Sequence, residues 1–350
     1  MGANSTVQAV LLHDIHEVAL ECTLQTNRVG GLQMPRSFET GQRIAGRYEL
    51  TQQLGQGTVG EVWGARDLHR RQDCAIKILQ TVEVGGPVDE RLLSSMQKAT
   101  SLCHQYIVRT DSLERDEHGS PCLVMERLWG QTLHRYLQQQ GPIPLVRAME
   151  LIHPILSALI EIHDRNLVHQ AVRPQNIFLH NRVYGRFRTE QVKLLDFGQF
   201  TRIPTFKRRL HKEDVASLPY LAPECMTDEP ISEDFRSDQW AVGVILYRML
   251  TGVFPFPVED DDVNGLLRKI QRSRLTPIVK HSPDLPECTT VALERALSKR
   301  KEDRFPTLRE FLRALDGLHP IPFYAVPISI PSLLPRHDPT HSAPKRESNN

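Results

Sequence analysis

Long apolar runs are missing from this sequence. The nearest approaches are Val7 to Leu12, which ends at His13 and Asp14, and Phe323 to Leu334, which is broken by Pro327 and Pro331. Neither reaches the roughly 20 apolar residues that a spanning helix needs, so no membrane span is expected. Positive charge ahead of the first run is absent too, which argues against a secretory signal. Charge of one sign is also lacking: 43 basic residues against 42 acidic ones leave a net charge of +1. Nothing here calls for a nucleic-acid partner, and no acidic excess makes a solvating tail. The six cysteines form no C-x-x-C pair and show no metal-ligand spacing. That excludes a disulfide framework and a zinc site, and fits free thiols in a reducing, cytoplasmic setting.

What is present is ordinary for a globular chain. The apolar share is 40% and the charged share 24% over 350 residues, enough for one large domain or two lobes. Four zones follow one another. Residues 1–47 read as an N-terminal extension in which Val7, Leu11, Ile15 and Val18 fall on one helical face. Residues 48–128 read as strands with one helix. Tyr48 to Gln53 and Glu61 to Arg66 suggest a hairpin around a glycine turn, with further strands at Cys74 to Leu79 and Cys122 to Glu126. Residues 129–318 are helix-rich: Arg147 to Asp164 has helical spacing, and Gln239 to Leu250 is apolar nearly all round, as a buried helix would be. Residues 319–350 hold seven prolines and are expected to be an extended tail.

Three segments carry chemistry. The first is Gly55-Gln56-Gly57-Thr58-Val59-Gly60-Glu61-Val62. Glycines in a strand-turn-strand let backbone amides approach phosphate oxygens without a Cβ in the way. A dinucleotide-binding G-x-G-x-x-G has to open a helix, whereas Glu61-Val62-Trp63 continues as a strand. The second is Cys74-Ala75-Ile76-Lys77-Ile78-Leu79, with its lysine twenty positions after Gly57. A lysine within an apolar strand is costly to bury without an anion. An edge-strand lysine facing solvent is the plain alternative; the glycine loop upstream makes a phosphate contact the sharper one. The third is His169-Gln170-Ala171-Val172-Arg173-Pro174-Gln175-Asn176, followed by Asp196-Phe197-Gly198 and Ala222-Pro223-Glu224.

In order and spacing these segments, with Asp238 and Trp240 and the late Asp303-Arg304-Phe305, resemble a serine/threonine protein kinase of the bacterial, eukaryotic-like type. The resemblance implies an α+β, bilobal protein-kinase-like fold over residues 48–318, with a small β-rich lobe and a larger α-helical lobe. It implies that Leu54, Gly55, Gly57, Gly60, Val62, Ala75, Lys77, Met125, Glu126, Leu128 and Phe178 form an ATP pocket. In it Met125 is the gatekeeper, Glu126 to Leu128 the hinge, and Lys77 the phosphate contact. Asn176 and Asp196 are implied as Mg²⁺ ligands. Asp238 is implied to hold the catalytic loop, and Glu224 and Arg304 to form a buried ion pair.

The departures matter as much. Where such kinases carry H-R-D-L-K-P-x-N, this chain has Gln170 for the arginine, Ala171 for the catalytic aspartate and Arg173 for the lysine. That aspartate accepts the substrate hydroxyl proton, and alanine cannot. Counting back from His104, the helix glutamate that partners Lys77 should stand near Ser95, yet no acid lies between Arg91 and Tyr106; Glu90 and Gln97 are the substitutes in reach. Asn176 and Asp196 lie 20 positions apart, longer than usual, with a hairpin carrying Arg182, Arg186 and Arg188 between them. Three readings stay open. One is a pseudokinase that binds ATP and acts as an allosteric or scaffolding partner of another kinase or signalling protein. The second is a weakly active serine/threonine kinase, and the third a nucleotide-independent interaction module.

Overall fold

The computed structural model describes residues 37–57, 60–79, 90–184, 187–196, 217–226, 234–256 and 263–317. The amphipathic segment around Val7 to Val18, Thr58-Val59, Phe197-Gly198, Arg186 and the proline-rich tail lie outside them. Six strands make one antiparallel sheet: β1 Arg43–Ile44, β2 Tyr48–Gly57, β3 Gly60–Asp67, β4 Gln72–Leu79, β5 Thr110–Arg115 and β6 Pro121–Glu126, in the order β1-β2-β3-β4-β6-β5. The expected hairpin around the glycine turn is present as β2 and β3, paired from Tyr48↔Asp67 to Gly57↔Gly60. The sheet also reaches upstream of Tyr48, because Ile44 is fully buried and β1 pairs with β2. One face closes on Leu50, Trp63, Ile76 and Val124; the other carries Ala75, Leu79, Leu123 and Met125, covered by Met96 of α1 (Glu90–Thr100).

The second lobe is helical. It contains α2 (Leu133–Gln140), α3 (Leu145–Asp164), α4 (Arg236–Thr251), α5 (Val263–Arg272), α6 (Glu287–Ala296) and α7 (Leu308–Asp316). A small sheet of β7 (Gly130–Thr132), β8 (Ile177–Tyr184) and β9 (Phe187–Leu194) sits at its top. β8 and β9 are the expected hairpin, and Arg182 and Arg188 lie on it. None of the described helices is long and apolar enough to cross a membrane. α4 is buried almost all round, as its composition demanded, from Asp238 through Leu250. α3 is helical over twenty residues in spite of Pro154 in its interior. The lost N–H costs one intrahelical bond, which burial of Leu151, Ile152, Ile155 and Leu156 outweighs.

Two buried devices tie the lobe's far end to α4. Trp240 stacks on Phe256 with ring centroids 5.7 Å apart, and Lys299 lies 3.4 Å from the Phe256 centroid. Arg304, with no side-chain exposure, bonds Glu224 through two parallel contacts of 2.7 Å and donates to the carbonyls of Ser298 and Arg236 at 2.9 Å. The pair implied from the sequence therefore forms. Removing only the acid would strand a desolvated guanidinium, which typically costs about 3 to 5 kcal/mol. Glu224→Ala should lower the unfolding free energy by about that amount in urea titrations; a loss below about 1 kcal/mol would show that the pair does not fasten the Pro223–Met226 turn to the segment around Arg304.

Candidate functional site

The loop His169 to Asn176 rests on one buried carboxylate. Asp238, in the first turn of α4 and 1% exposed, accepts from the backbone N–H of His169 through Oδ2 and of Gln170 through Oδ1, both at 2.8 Å. His163, at the end of α3, lies 2.9 Å from Oδ2 through its Nε2. The helix N-terminus adds its own partial positive charge to these contacts. Gln170 is held at φ 60, a left-handed conformation that a non-glycine residue adopts only where its surroundings dictate it.

His169 completes the loop from inside. Its Nε2 faces the carbonyl of Leu195 at 3.0 Å, and its Nδ1 faces the backbone N–H of Ala171 at 3.2 Å. The pattern is that of a neutral ring donating through Nε2 and accepting through Nδ1. Burial pushes its pKa down, in keeping with that form. Asn176 closes the loop: its Nδ2 donates to the Ala171 carbonyl at 2.9 Å, and its own carbonyl accepts from Leu195 N–H at 2.8 Å. Ala171 is 3% exposed, so its backbone is gripped from both sides while its side chain offers no acid or base.

Leu195 delivers the next residue, Asp196, at φ 53. Its Oδ1 accepts from Lys77 Nζ at 2.9 Å; the side chains are 26% and 6% exposed respectively. Lys77 comes from β4, where it pairs with Val62 of β3 and Leu123 of β6. Burying an ammonium is costly without an anion to offset the lost water, and the carboxylate of Asp196 supplies one. Leu54, Ala75, Met125 and Leu128 gather in the apolar cluster around Met96 and Leu123. Val62 is half-buried beside Lys77, and Phe178 is half-buried on β8 opposite Thr132. Arg173 caps the short 3-10 turn Pro174–Asn176.

The glycines divide into two kinds. At Gly60, φ is +150, and a Cβ would stand 2.0 Å from the carbonyl oxygen of Ile78. That glycine is required by the close approach of β3 to β4. At Gly55 an added Cβ would meet nothing within 4 Å, so local packing does not demand it; clearance above the hairpin is what its bare backbone provides.

Glu126, which the resemblance puts at a hinge, has its side chain engaged. Its Oε1 accepts from Lys193 Nζ at 2.6 Å and from Arg109 N–H at 2.8 Å. Burial pushes the carboxyl up, but these two donors outweigh it and its pKa is lowered. Its backbone N–H donates to the carbonyl of Arg109 at 2.9 Å. Lys193, on β9 and 5% exposed, was not singled out from the sequence. The signal was there: Val192-Lys193-Leu194-Leu195 is another lysine in an apolar strand, under the same constraint as Lys77.

For a divalent ion, Asp196 and Asn176 supply a carboxylate and an amide oxygen, the hard donors magnesium takes. Asn176 turns its NH₂ end to Ala171, which leaves its oxygen end as the side able to ligate.

Comparison with known proteins places the chain in context. Residues 48–314 match the family described as protein kinase domain. The chain is 31% identical over 286 residues to the serine/threonine-protein kinase PknB of Mycolicibacterium smegmatis, covering 80% of this chain and 44% of that one. It is 31% identical over 289 residues to the serine/threonine-protein kinase pkn3 of Myxococcus xanthus, with 79% and 51% covered. This chain thus spans about half the length of the curated relatives it matches. Among solved structures, a double variant of the PknI kinase domain of Mycobacterium tuberculosis superposes with a TM-score of 0.62 at 22% identity, covering 81% of this chain and 99% of that one. At that identity the likeness speaks for the fold alone.

Burial also sets a pH dependence. His169, His104, His134 and His180 are all pushed below the ordinary imidazole value of 6.5 by desolvation. They take up protons less readily in the folded chain than in the unfolded one. Stability present above about pH 6.5 is therefore lost as the pH falls toward 5. Urea midpoints should be lower at about pH 5 than at about pH 7.5, and His134→Gln should reduce the difference; equal midpoints would contradict the neutral assignment.

Proposed function

Since the chain belongs to the protein kinase family, we propose that it is a nucleotide-binding pseudokinase. Its kinase-like domain spans residues 48–318 and acts in the cytoplasm as an allosteric or scaffolding partner of another kinase or signalling protein. The observation that carries this reading is Ala171, held in place by His169 and Asn176 yet without a proton acceptor. A positioned general base is typically worth about 10² to 10⁴ in rate, or roughly 3 to 5 kcal/mol. Loss of that group alone, on an otherwise formed loop, separates binding from transfer.

The chain's own residues support the binding half. Gly55, Gly57 and Gly60 bring backbone amides toward a phosphate chain. Lys77 provides a fixed cation, held within 2.9 Å of Asp196. Leu54, Val62 and Ala75 on one side and Phe178 on the other form apolar walls for a base, with Met125 at the back and the backbone of Glu126 to Leu128 along its edge. Asn176 and Asp196 are the residues that would hold magnesium, whose contribution when bound is to neutralise phosphate charge. Gln170 bears on regulation: an amide cannot form the ion pair with a phosphorylated activation segment that an arginine forms there.

Two measurements decide the reading. Millimolar ATP with magnesium should raise the melting temperature of the full chain by mass action. Gly55→Ala should weaken that shift and leave the unliganded melting temperature alone, because no neighbour obstructs its Cβ. Incubation with labelled ATP should give no phosphate transfer to the chain or to a generic protein substrate, and Ala171→Asp should raise transfer above background. Robust turnover by the native sequence that Lys77→Met abolishes would overturn the proposal in favour of a weakly active serine/threonine kinase. A flat melting curve with silent calorimetry would leave the nucleotide-independent interaction module.

A further inference from the structure

A cluster of cations around Tyr220 in the large lobe carries a further inference. It deepens the partner half of the reading above and does not depend on the nucleotide half. Arg248 lies in the last turn of α4. Its guanidinium stands 4.8 Å from the centroid of Phe254, and its Nη1 donates to the Tyr220 hydroxyl at 2.8 Å. Tyr220, 4% exposed, packs edge-on against the same Phe254 with ring centroids 5.7 Å apart. A ring face and a hydroxyl therefore fix the Arg248 guanidinium in one place.

Arg173 approaches the same phenol from the loop. Its backbone is held, because its carbonyl accepts from Asn176 N–H at 2.9 Å. Its side chain is half-buried, and its Nε is buried without a hydrogen-bond partner. Burial pushes the Tyr220 hydroxyl up, and Arg248 and Arg173 both draw it back down, with no acid acting on it. Among the described residues no acid pairs with either guanidinium. Two like charges gathered round one phenol repel each other, and an anion between them would offset that. Gln175, two positions on, is also incompletely satisfied. Its Nε2 lies 3.4 Å from Nδ1 of His134 on α2, while its Oε1 is buried without a partner. An amide nitrogen only donates, so His134 accepts through Nδ1. Burial first and Arg248 second hold that ring below the ordinary value, in keeping with a neutral form.

These unmet groups define what would fit them. A guanidinium fork matches a carboxylate or a phosphate through parallel bonds. Tyr220 accepts from Arg248 and keeps its own O–H to give. The oxygen of Gln175 needs an N–H, which a peptide backbone carries and a carboxylate does not. Gln175 is half-buried and its terminal torsion is soft, so the amide turns to such a donor at little cost. Two guanidiniums on a chain of net charge +1 make a point contact, not the broad basic field that a nucleic acid needs. We propose that Arg173, Arg248 and Tyr220 form a docking subsite for an acidic side chain, a carboxylate or a phosphate, in a peptide segment of the partner protein, with Gln175 taking a backbone N–H of that segment.

The test places the labelled full chain, without nucleotide, on arrays of short peptides with degenerate flanks. The central residue is Glu, phosphoserine, Ser or Lys. Retention on the Glu or the phosphoserine pool should exceed that on the Ser pool at least about fivefold, with the Lys pool lowest. Comparison of the Glu and phosphoserine pools tells the two sources of negative charge apart. Arg248→Gln and Arg173→Gln should each cut the preference to about twofold or less, since each removes one charge-assisted fork. Gln175→Leu should lower retention on the preferred pool and leave the preference for acid in place. Unliganded melting curves are recorded for all three variants, and those that keep the native value are read. Equal retention on acidic and Ser pools overturns the proposal, as does a preference that survives both arginine substitutions. Unchanged retention of Gln175→Leu overturns the part given to that residue. Nucleotide binding is read separately from the melting shift with ATP and magnesium, so either reading can fail while the other stands.

Discussion

The carboxylate of Asp238 is the contact on which the rest of the site depends. It is buried at the start of a helix that is itself buried, and its cost is offset by two backbone amides, His163 and the helix N-terminus. Those amides belong to His169 and Gln170, so the loop is fastened to a helix buried in the large lobe. From His169 the contacts run through Leu195 to Asp196 and from Asp196 to Lys77. A single desolvated anion thereby sets where a lysine on the opposite lobe finds its partner.

This arrangement explains how the loop can lack its acid and keep its shape. The contacts that shape residues 169–176 are made by backbone atoms, by His169 and by Asn176, and none uses the side chain at position 171. Chemistry and architecture are carried by different atoms. The loop therefore keeps its shape without an acid at position 171, whereas removal of the Asp238 carboxylate would take away the partner of both loop amides.

Three charged pairs in this fold obey the same electrostatics and do different things. Arg304 with Glu224 and Lys193 with Glu126 are enclosed by their own lobe or hinge and serve as internal fasteners. Lys77 with Asp196 sits on the cleft, where a ligand can join it. Burial of a lysine in an apolar strand is common to Lys77 and Lys193. Only the neighbours separate the two: Asp196 answers Lys77, and Glu126 answers Lys193.

Much of this was legible in the order of residues. A glycine turn between strand-like runs marked β2 and β3, short apolar runs marked β4 and β6, and an apolar sequence all round marked α4, because such patterns are local properties of the chain. The spacing of the glycine segment, Lys77, Asn176 and Asp196 pointed to one kind of cleft, and the absence of an acid at position 171 is a fact of the sequence alone. β5, with its mixed Thr110–Arg115 composition, carried no such signal, because its pairing with β6 and not its own pattern makes it a strand. Which carboxylate answers Lys77, where Glu126 spends its side chain, and which glycine is needed for packing and which for clearance were decided by tertiary structure. The Lys77–Asp196 contact joins residues 119 positions apart, and local periodicity carries no record of a distance that only the folded chain sets.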